Sequence, residues 1–300
     1  AIIRTGMLFI VIGLFMILLL PYEWSLYLAF IVFGFGGFCM DSGSNSYLSS
    51  SPDSDSRRNV PLIHFVYSTG ALLSGYIMIP FRNLSWRIGY AAFGFAMLIV
   101  LISSFAGSAQ QEDGKSRRGE SKPVPIRSIV SNPSFIALTI SLMLYMTAQQ
   151  IGSNWYPYYI ETTFKASDAI AAAAMMSFWI GIAAMRFLSS ILLSKGLSPI
   201  LLSAIGLAVS GIGQMLAALS GNSTMALVWI ALSGFAAGAN IPCYIVEVSS
   251  WYPGNTFFVS TLYLLSGTIG RMVMQPIAAF AADRLGPGSM LLLFSSFLFV

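Results

Sequence analysis

The sequence predicts an all-α, polytopic membrane protein, and three observations carry that reading. Of 300 residues, 56% are hydrophobic and only 9% charged, where a soluble domain carries about 25% charged residues. Mean hydropathy is +0.78. The apolar residues also gather in continuous stretches of about 20, the length a helix needs to cross a bilayer. Together these exclude a soluble enzyme, a disordered chain and a disulfide-built secreted domain. A transmembrane β-barrel is excluded because the runs far exceed ~10 residues. The net charge of +4 is small, and the basic residues lie in connections rather than along one face, which argues against nucleic acid as a partner. Cys39 and Cys243 lie inside apolar runs and read as packing residues.

Ten spans can be marked off in order: 5–20, 24–50, 59–80, 86–107, 132–160, 168–194, 197–219, 223–250, 255–281 and 288–300. The first starts at Ala1 without an initiator Met and lacks a signal-peptide cleavage site. The last reaches Val300 with no polar flank, so the chain is expected to be cut at both ends. Only one connection is long. Residues 108–131 carry Gln111-Glu112-Asp113-Gly114-Lys115-Ser116-Arg117-Arg118, then Pro123 and Pro125. This linker separates an N-terminal block, 1–107, from a C-terminal block, 132–300.

Basic residues set the orientation. With the linker inside, Arg4, Arg57, Arg58, Lys115, Arg117, Arg118, Lys122, Arg127 and Lys195 fall inside, nine in all. Arg82, Arg87, Lys165 and Arg284, four in all, fall outside. Nine against four supports a cytoplasmic linker. Arg186 and Arg271 fall within spans.

The blocks share a loose repeat. Phe33-Gly34-Phe35-Gly36-Gly37 returns as Ser233-Gly234-Phe235-Ala236-Ala237, an offset of 200, and Ile12-Gly13-Leu14 returns as Ile205-Gly206-Leu207, an offset of 193. Ser68-Thr69-Gly70 and Leu265-Ser266-Gly267 follow in the next spans. The second block has six spans and the first four, and the first span aligns with the third of the second block. This expects about two further helices, roughly 60 residues, before Ala1 and a parent of twelve spans in two six-helix halves.

That architecture resembles the major facilitator superfamily over the whole chain. More specific residues resemble the fucose/glucose–proton symporter branch. They are Asp41-Ser42-Gly43-Ser44-Asn45, Leu62-Ile63-His64 before Thr69-Gly70-Ala71, Trp155-Tyr156-Pro157-Tyr158-Tyr159, and Phe178-Trp179-Ile180-Gly181 before Arg186. The resemblance implies a transporter whose halves rock about a midplane site. In one departure, an acid is common in that branch about five positions before the tryptophan of the 132–160 span, and here that position is Gln150.

Ionisable side chains within spans are functional candidates by default. Asp41 and Asn45 are one turn apart on one helical face. They suit a protonatable carboxyl beside a hydroxyl-binding amide, or else Asp41 pairs structurally with Arg186 or His64. His64 is the only histidine. It either shares a proton with Asp41 or is a hydrogen-bonded packing residue. The resemblance implies that Arg186 and Glu247 form an inner gating cluster. Arg271, near the middle of its span, either binds an anionic group or pairs with an acid on another helix. Gln149, Gln150, Asn154 and Trp155 offer amides and an aromatic face to a polyol. Asn240 and Tyr244 form a similar stripe with Glu247. Interhelical bonding and an interfacial aromatic belt are the competing readings. Pro242 and Pro276 would kink their helices.

No Walker A loop, metal-ligand spacing, G-x-S-x-G or nucleophile–base pair is present in the sequence. No cofactor, metal or catalytic residue is therefore expected, and the chain is expected not to be an enzyme. The expectation is a secondary transporter for a small polar solute, a monosaccharide first, driven by proton symport. It would be monomeric, embedded in the lipid bilayer, and placed in the plasma (inner) membrane. Drug efflux, organic-anion transport and a non-transporting sensor or scaffold are the alternatives.

Overall fold

A computed structural model describes residues 2–20, 22–50, 53–78, 81, 85–106 and 124–299. Residues 107–123, most of the expected linker, lie outside the described residues, as does Arg82 of the basic count. The chain forms α1 (Ile2–Leu19), α2 (Glu23–Ser49), α3 (Asp53–Met78), α4 (Trp86–Ala106), α5 (Ile126–Val130), α6 (Pro133–Phe164), α7 (Asp168–Ser194), α8 (Pro199–Ala218), α9 (Ser223–Ala237), α10 (Asn240–Trp251), α11 (Thr256–Leu285) and α12 (Pro287–Ser295). Eight candidate spans among the described residues are long and apolar enough to cross a membrane. The other two expected spans are α3, which opens on a polar turn from Asp53, and α12, which passes into a 3-10 turn, Ser296–Phe299.

Local chemistry sets the helix ends. Asn132 accepts from the Ser134 amide at 2.9 Å, and Asn222 accepts from the Met225 amide at 2.9 Å. Pro133 and Pro199 occupy first helical positions, where a missing N–H costs nothing. α6 stops at Lys165, which takes the left-handed conformation at φ 53°.

The chain divides into two compact units, Ala1–Ser51 with Leu73–Ser121, and Pro52–Leu72 with Lys122–Val300. The boundary falls inside α3. In the first unit α1 packs on α2 and α4. Arg87 donates to the Ile17 and Leu20 carbonyls at 3.1 and 2.6 Å, capping the end of α1. Arg4 donates to the Ser104 carbonyl at 2.6 Å and lies over the Phe105 ring. Both arginines thus spend their charge on helix-end carbonyls, which carry partial negative charge.

In the second unit α9 packs between α7 and α8, and α6 packs on α7, α11 and α12. One core joins Tyr156, Tyr159, Phe178, Ile230 and Phe294, while a smaller one joins Met185, Leu193, Leu202, Ala239 and Cys243. Both cysteines are free thiols, and Cys243 is buried.

The two units repeat one packing pattern. A Cβ at Gly6 would lie 2.7 Å from the Gly36 carbonyl oxygen and the Met40 nitrogen; at Gly206 it would lie 2.6 Å from the Ala236 carbonyl and 3.3 Å from Asn240 Oδ1. A Cβ at Gly13 would meet the Phe33 nitrogen at 2.7 Å, and at Gly213 the Ser233 nitrogen at 3.2 Å. Every pair is offset by 200 residues. The sequence match of Gly13 with Gly206 is therefore corrected to Gly13 with Gly213, two helical turns on. A three-residue motif in a glycine-rich helix fits at either place; the facing backbone chooses one. The same offset relates α3 to α11 and α4 to α12.

The expected 223–250 span is broken at Gly238–Ala239 into α9 and α10. Pro242 has no N–H for the Gly238 carbonyl, and its ring crowds that turn. Side chains then cap the end of α9 at the neighbouring Ala237 carbonyl. Asn240 Nδ2 donates to the Ala237 carbonyl at 3.0 Å, and the Tyr145 hydroxyl donates to the same oxygen at 2.7 Å. In contrast, α11 runs on through Pro276 and α6 through Pro157. Tyr145→Phe is expected to lower stability by about 1 kcal/mol, because Asn240 still serves the carbonyl. Combining it with Asn240→Ala should cost more than the sum of the two, read as melting temperature in detergent.

Candidate functional site

Asp41 and Asn45 meet as their spacing predicts. Asn45 Nδ2 donates to Asp41 Oδ1 at 2.8 Å and to the Asp41 carbonyl at 3.0 Å. Asn45 is buried and Asp41 exposed. The amide thus holds the carboxylate in one rotamer while leaving the group accessible.

A second cluster lies in the other unit, on α6 and α11. Gln150 Nε2 donates to Asn154 Oδ1 at 2.9 Å. Arg271 Nη1 donates to Gln150 Oε1 at 3.4 Å, and Arg271 Nη2 to Thr268 Oγ1 at 3.1 Å. Asn154 is exposed, and Gln150 and Arg271 are half-buried. Their amides, guanidinium and hydroxyl gather donors and acceptors where α6 and α11 meet. The helices are brought close by Gly270, where a Cβ would lie 3.0 Å from Thr147 Oγ1. Gln149 is buried one residue away, on a different face. Trp155 is half-buried against the larger core and 5.6 Å from the Tyr158 ring.

A third cluster surrounds Arg186, which is 2% exposed. Its Nη1 donates to the His64 carbonyl at 3.1 Å and to Ser68 Oγ. His64 is buried and enters this contact through its backbone. Glu247, half-buried, accepts from Trp251 Nε1 at 2.9 Å. Asn240 is fully buried at the helix break and packs against Gly206.

Sequence reasoning missed four contributors, namely Ser68, Thr268, Tyr145 and Trp251. Thr268 and Trp251 could have been found, since each lies one turn from a flagged ionisable residue. Ser68 and Tyr145 bond across helices, which no spacing reports.

Polar clusters within membrane-spanning helices, carried on a chain that repeats itself at 200 residues, define the class of repeat-built membrane transport proteins. The sequence profile of the Major Facilitator Superfamily matches residues 1–273. The chain belongs to the Major Facilitator Superfamily, a family of transporters rather than enzymes.

Solved structures agree on the fold. The fucose:proton symporter FucP of E. coli superposes with a TM-score of 0.76 at 13% identity, covering 99% of this chain and 81% of that one. The human organic anion transporter TETRAN gives 0.81 at 13% identity, covering 99% and 74%. The proton:xylose symporter XylE gives 0.73 at 13% identity, covering 99% and 77%. At such identities the likeness is one of fold. No curated protein matches the chain in sequence.

Proposed function

We propose that this chain moves a monosaccharide across the membrane by alternating access, coupled to proton symport. The observation that carries the reading is the Gln150–Asn154–Arg271–Thr268 cluster, an array of donors and acceptors suited to a solute's hydroxyl groups. Gln150 and Asn154 contact the solute, and Asn45, Gln149, Trp155 and Asn240 complete the site. Asp41 carries the proton with His64 as its relay. Residues 1–107 and 132–300 form the halves that rock, and Arg186 and Glu247 belong to the inner gate. The protein works as a monomer in the plasma membrane. Two of the similar structures are sugar–proton symporters by name, which agrees with this reading.

Arg271 favours a second reading, transport of an organic anion, since a guanidinium fork suits a carboxylate. Another of the similar structures is named as an organic anion transporter.

The deciding experiment follows external pH around proteoliposomes as monosaccharides, drugs and organic anions are added one at a time. Alkalinisation on sugar addition supports sugar–proton symport. A response to anions alone replaces it with the second reading. Asp41→Asn is expected to abolish uphill accumulation while leaving counterflow exchange. Loss of exchange as well would make Asp41 a binding or structural residue instead.

A further inference from the structure

A guanidinium carries N–H donors and no acceptor, so a polar group that bonds to it must turn an oxygen towards it. Arg271 therefore fixes the orientation of its neighbours. Gln150 presents Oε1 to Arg271 Nη1 at 3.4 Å, which turns its Nε2 the other way. That Nε2 donates to Asn154 Oδ1 at 2.9 Å, so Asn154 in turn holds its Nδ2 at the far end. Thr268 obeys the same rule on α11. Its Oγ1 accepts from Arg271 Nη2 at 3.1 Å and spends its own proton on the Leu264 carbonyl at 3.0 Å.

The bonds thus run one way, from Arg271 through Gln150 to Asn154. Reversing either amide would set N–H against N–H, so the direction is not interchangeable. Both amide oxygens are engaged inside the cluster, and the group at the end is an NH2. Asn154 is exposed, which puts this end of the relay within reach of a solute. Hydrogen bonds in a chain polarise one another, and the terminal donor is the stronger for it. Nearby acids on the same helices do not oppose it. The acids of α6 and α11 are Glu161 and Asp283, seven residues from Asn154 and twelve from Arg271. Those separations are roughly 10 and 18 Å along the helix axes at 1.5 Å per residue.

This polarity selects the group that a solute turns towards α6. A hydroxyl both donates and accepts, and its proton would compete for a second lone pair on an oxygen already engaged. An ionised carboxylate only accepts, and its bonds from N–H groups are the stronger kind. The single guanidinium at the head of the relay matches the single charge of a carboxylate better than the nearly double charge of a phosphate ester. We infer that the solute is a sugar acid, a uronate or aldonate, whose carboxylate accepts from Asn154 Nδ2 while its hydroxyls meet the rest of the site. This rests on the reading of the cluster as a solute site and narrows the monosaccharide to its carboxylated form.

The test is equilibrium dialysis of labelled D-glucuronate and D-glucose against the full protein in detergent. Cyclohexanecarboxylate and glucose 6-phosphate serve as competitors. Glucuronate is expected to bind roughly tenfold more tightly than glucose, the gain from a hydrogen bond to a charged group. Asn154→Asp still accepts from Gln150 but puts an oxygen and a negative charge in place of Nδ2. It is expected to weaken glucuronate binding roughly tenfold more than glucose binding. Glucuronate binding no tighter than glucose overturns the sugar acid and leaves the monosaccharide reading standing. Cyclohexanecarboxylate competing as well as glucuronate overturns it in favour of a plain organic anion. Glucose 6-phosphate competing better than glucuronate overturns the carboxylate. Equal losses for the two sugars in Asn154→Asp overturn the relay, provided its melting temperature matches the parent's. Binding of neither sugar sinks this inference and the monosaccharide reading together. The comparison of ligands uses the unaltered protein, so it decides the matter even where the variant fails to fold.

Discussion

Gly234→Ala should leave little folded protein in the membrane fraction, the largest stability loss expected of a single added methyl group among the described glycines. A Cβ at Gly234 would run into the Phe178 carbonyl oxygen and lie 2.9 Å from its carbon. The facing helix repeats the problem, since a Cβ at Gly181 would lie 2.5 Å from both the Ala231 carbonyl oxygen and the Phe235 nitrogen. Here α7 and α9 meet backbone to backbone, as small residues allow in membranes. No side chain can turn aside, so the helices must separate. Overpacking costs typically 1–3 kcal/mol and more where backbone has to move, and several contacts would be lost together. Gly34→Ala is the control, because a Cβ there meets nothing within 4 Å. Alanine at that helical site should be neutral or stabilising by about 0.5–1 kcal/mol. Melting temperatures in detergent compare the two. Equal melting temperatures would mean that α7 and α9 are not in backbone contact.

The second large effect concerns transport. Arg271→Ala is expected to weaken solute binding by about 10–100-fold, the range for losing a hydrogen bond from a charged group. Melting temperature should change little, because Arg271 and Asn154 lie at a partly exposed face while α6 and α11 are joined elsewhere at Gly267 and Gly270. Gln150→Ala should weaken binding less, and the double variant little more than Arg271→Ala, since Gln150 orients the guanidinium. Binding is read by equilibrium dialysis with whichever labelled solute the proteoliposome screen returns. A drop in melting temperature with binding unchanged would make the cluster an interhelical joint.

These experiments separate what was legible in the residues from what was not. The apolar runs and the superfamily could be read directly. So could the Asp41–Asn45 and Gln150–Asn154 bonds, because residues four apart on a helix are neighbours whatever surrounds them. The repeat was legible in kind but not in register, and two glycines in α8 competed for one equivalence. The break at Gly238–Ala239 was half legible. Pro242, Pro276 and Pro157 look alike in sequence, yet of the three only Pro242 stands at a break, where Asn240 and Tyr145 bond the Ala237 carbonyl at the end of α9.

Arg186 is the clearest case of the division. Its place in the chain establishes that a charged residue lies within a span and therefore has a partner, because hydrocarbon does not solvate a guanidinium. The order of residues points to acids, the only groups a list of charges can suggest. The packing of α7 on α3 is what makes a serine hydroxyl and a backbone carbonyl two of the partners. Hydropathy and helical period depend on each helix alone, and they settle which segments enter the membrane and which residues share a face. Which face meets which depends on how closely two backbones can approach, and that is set by atoms distant in the chain.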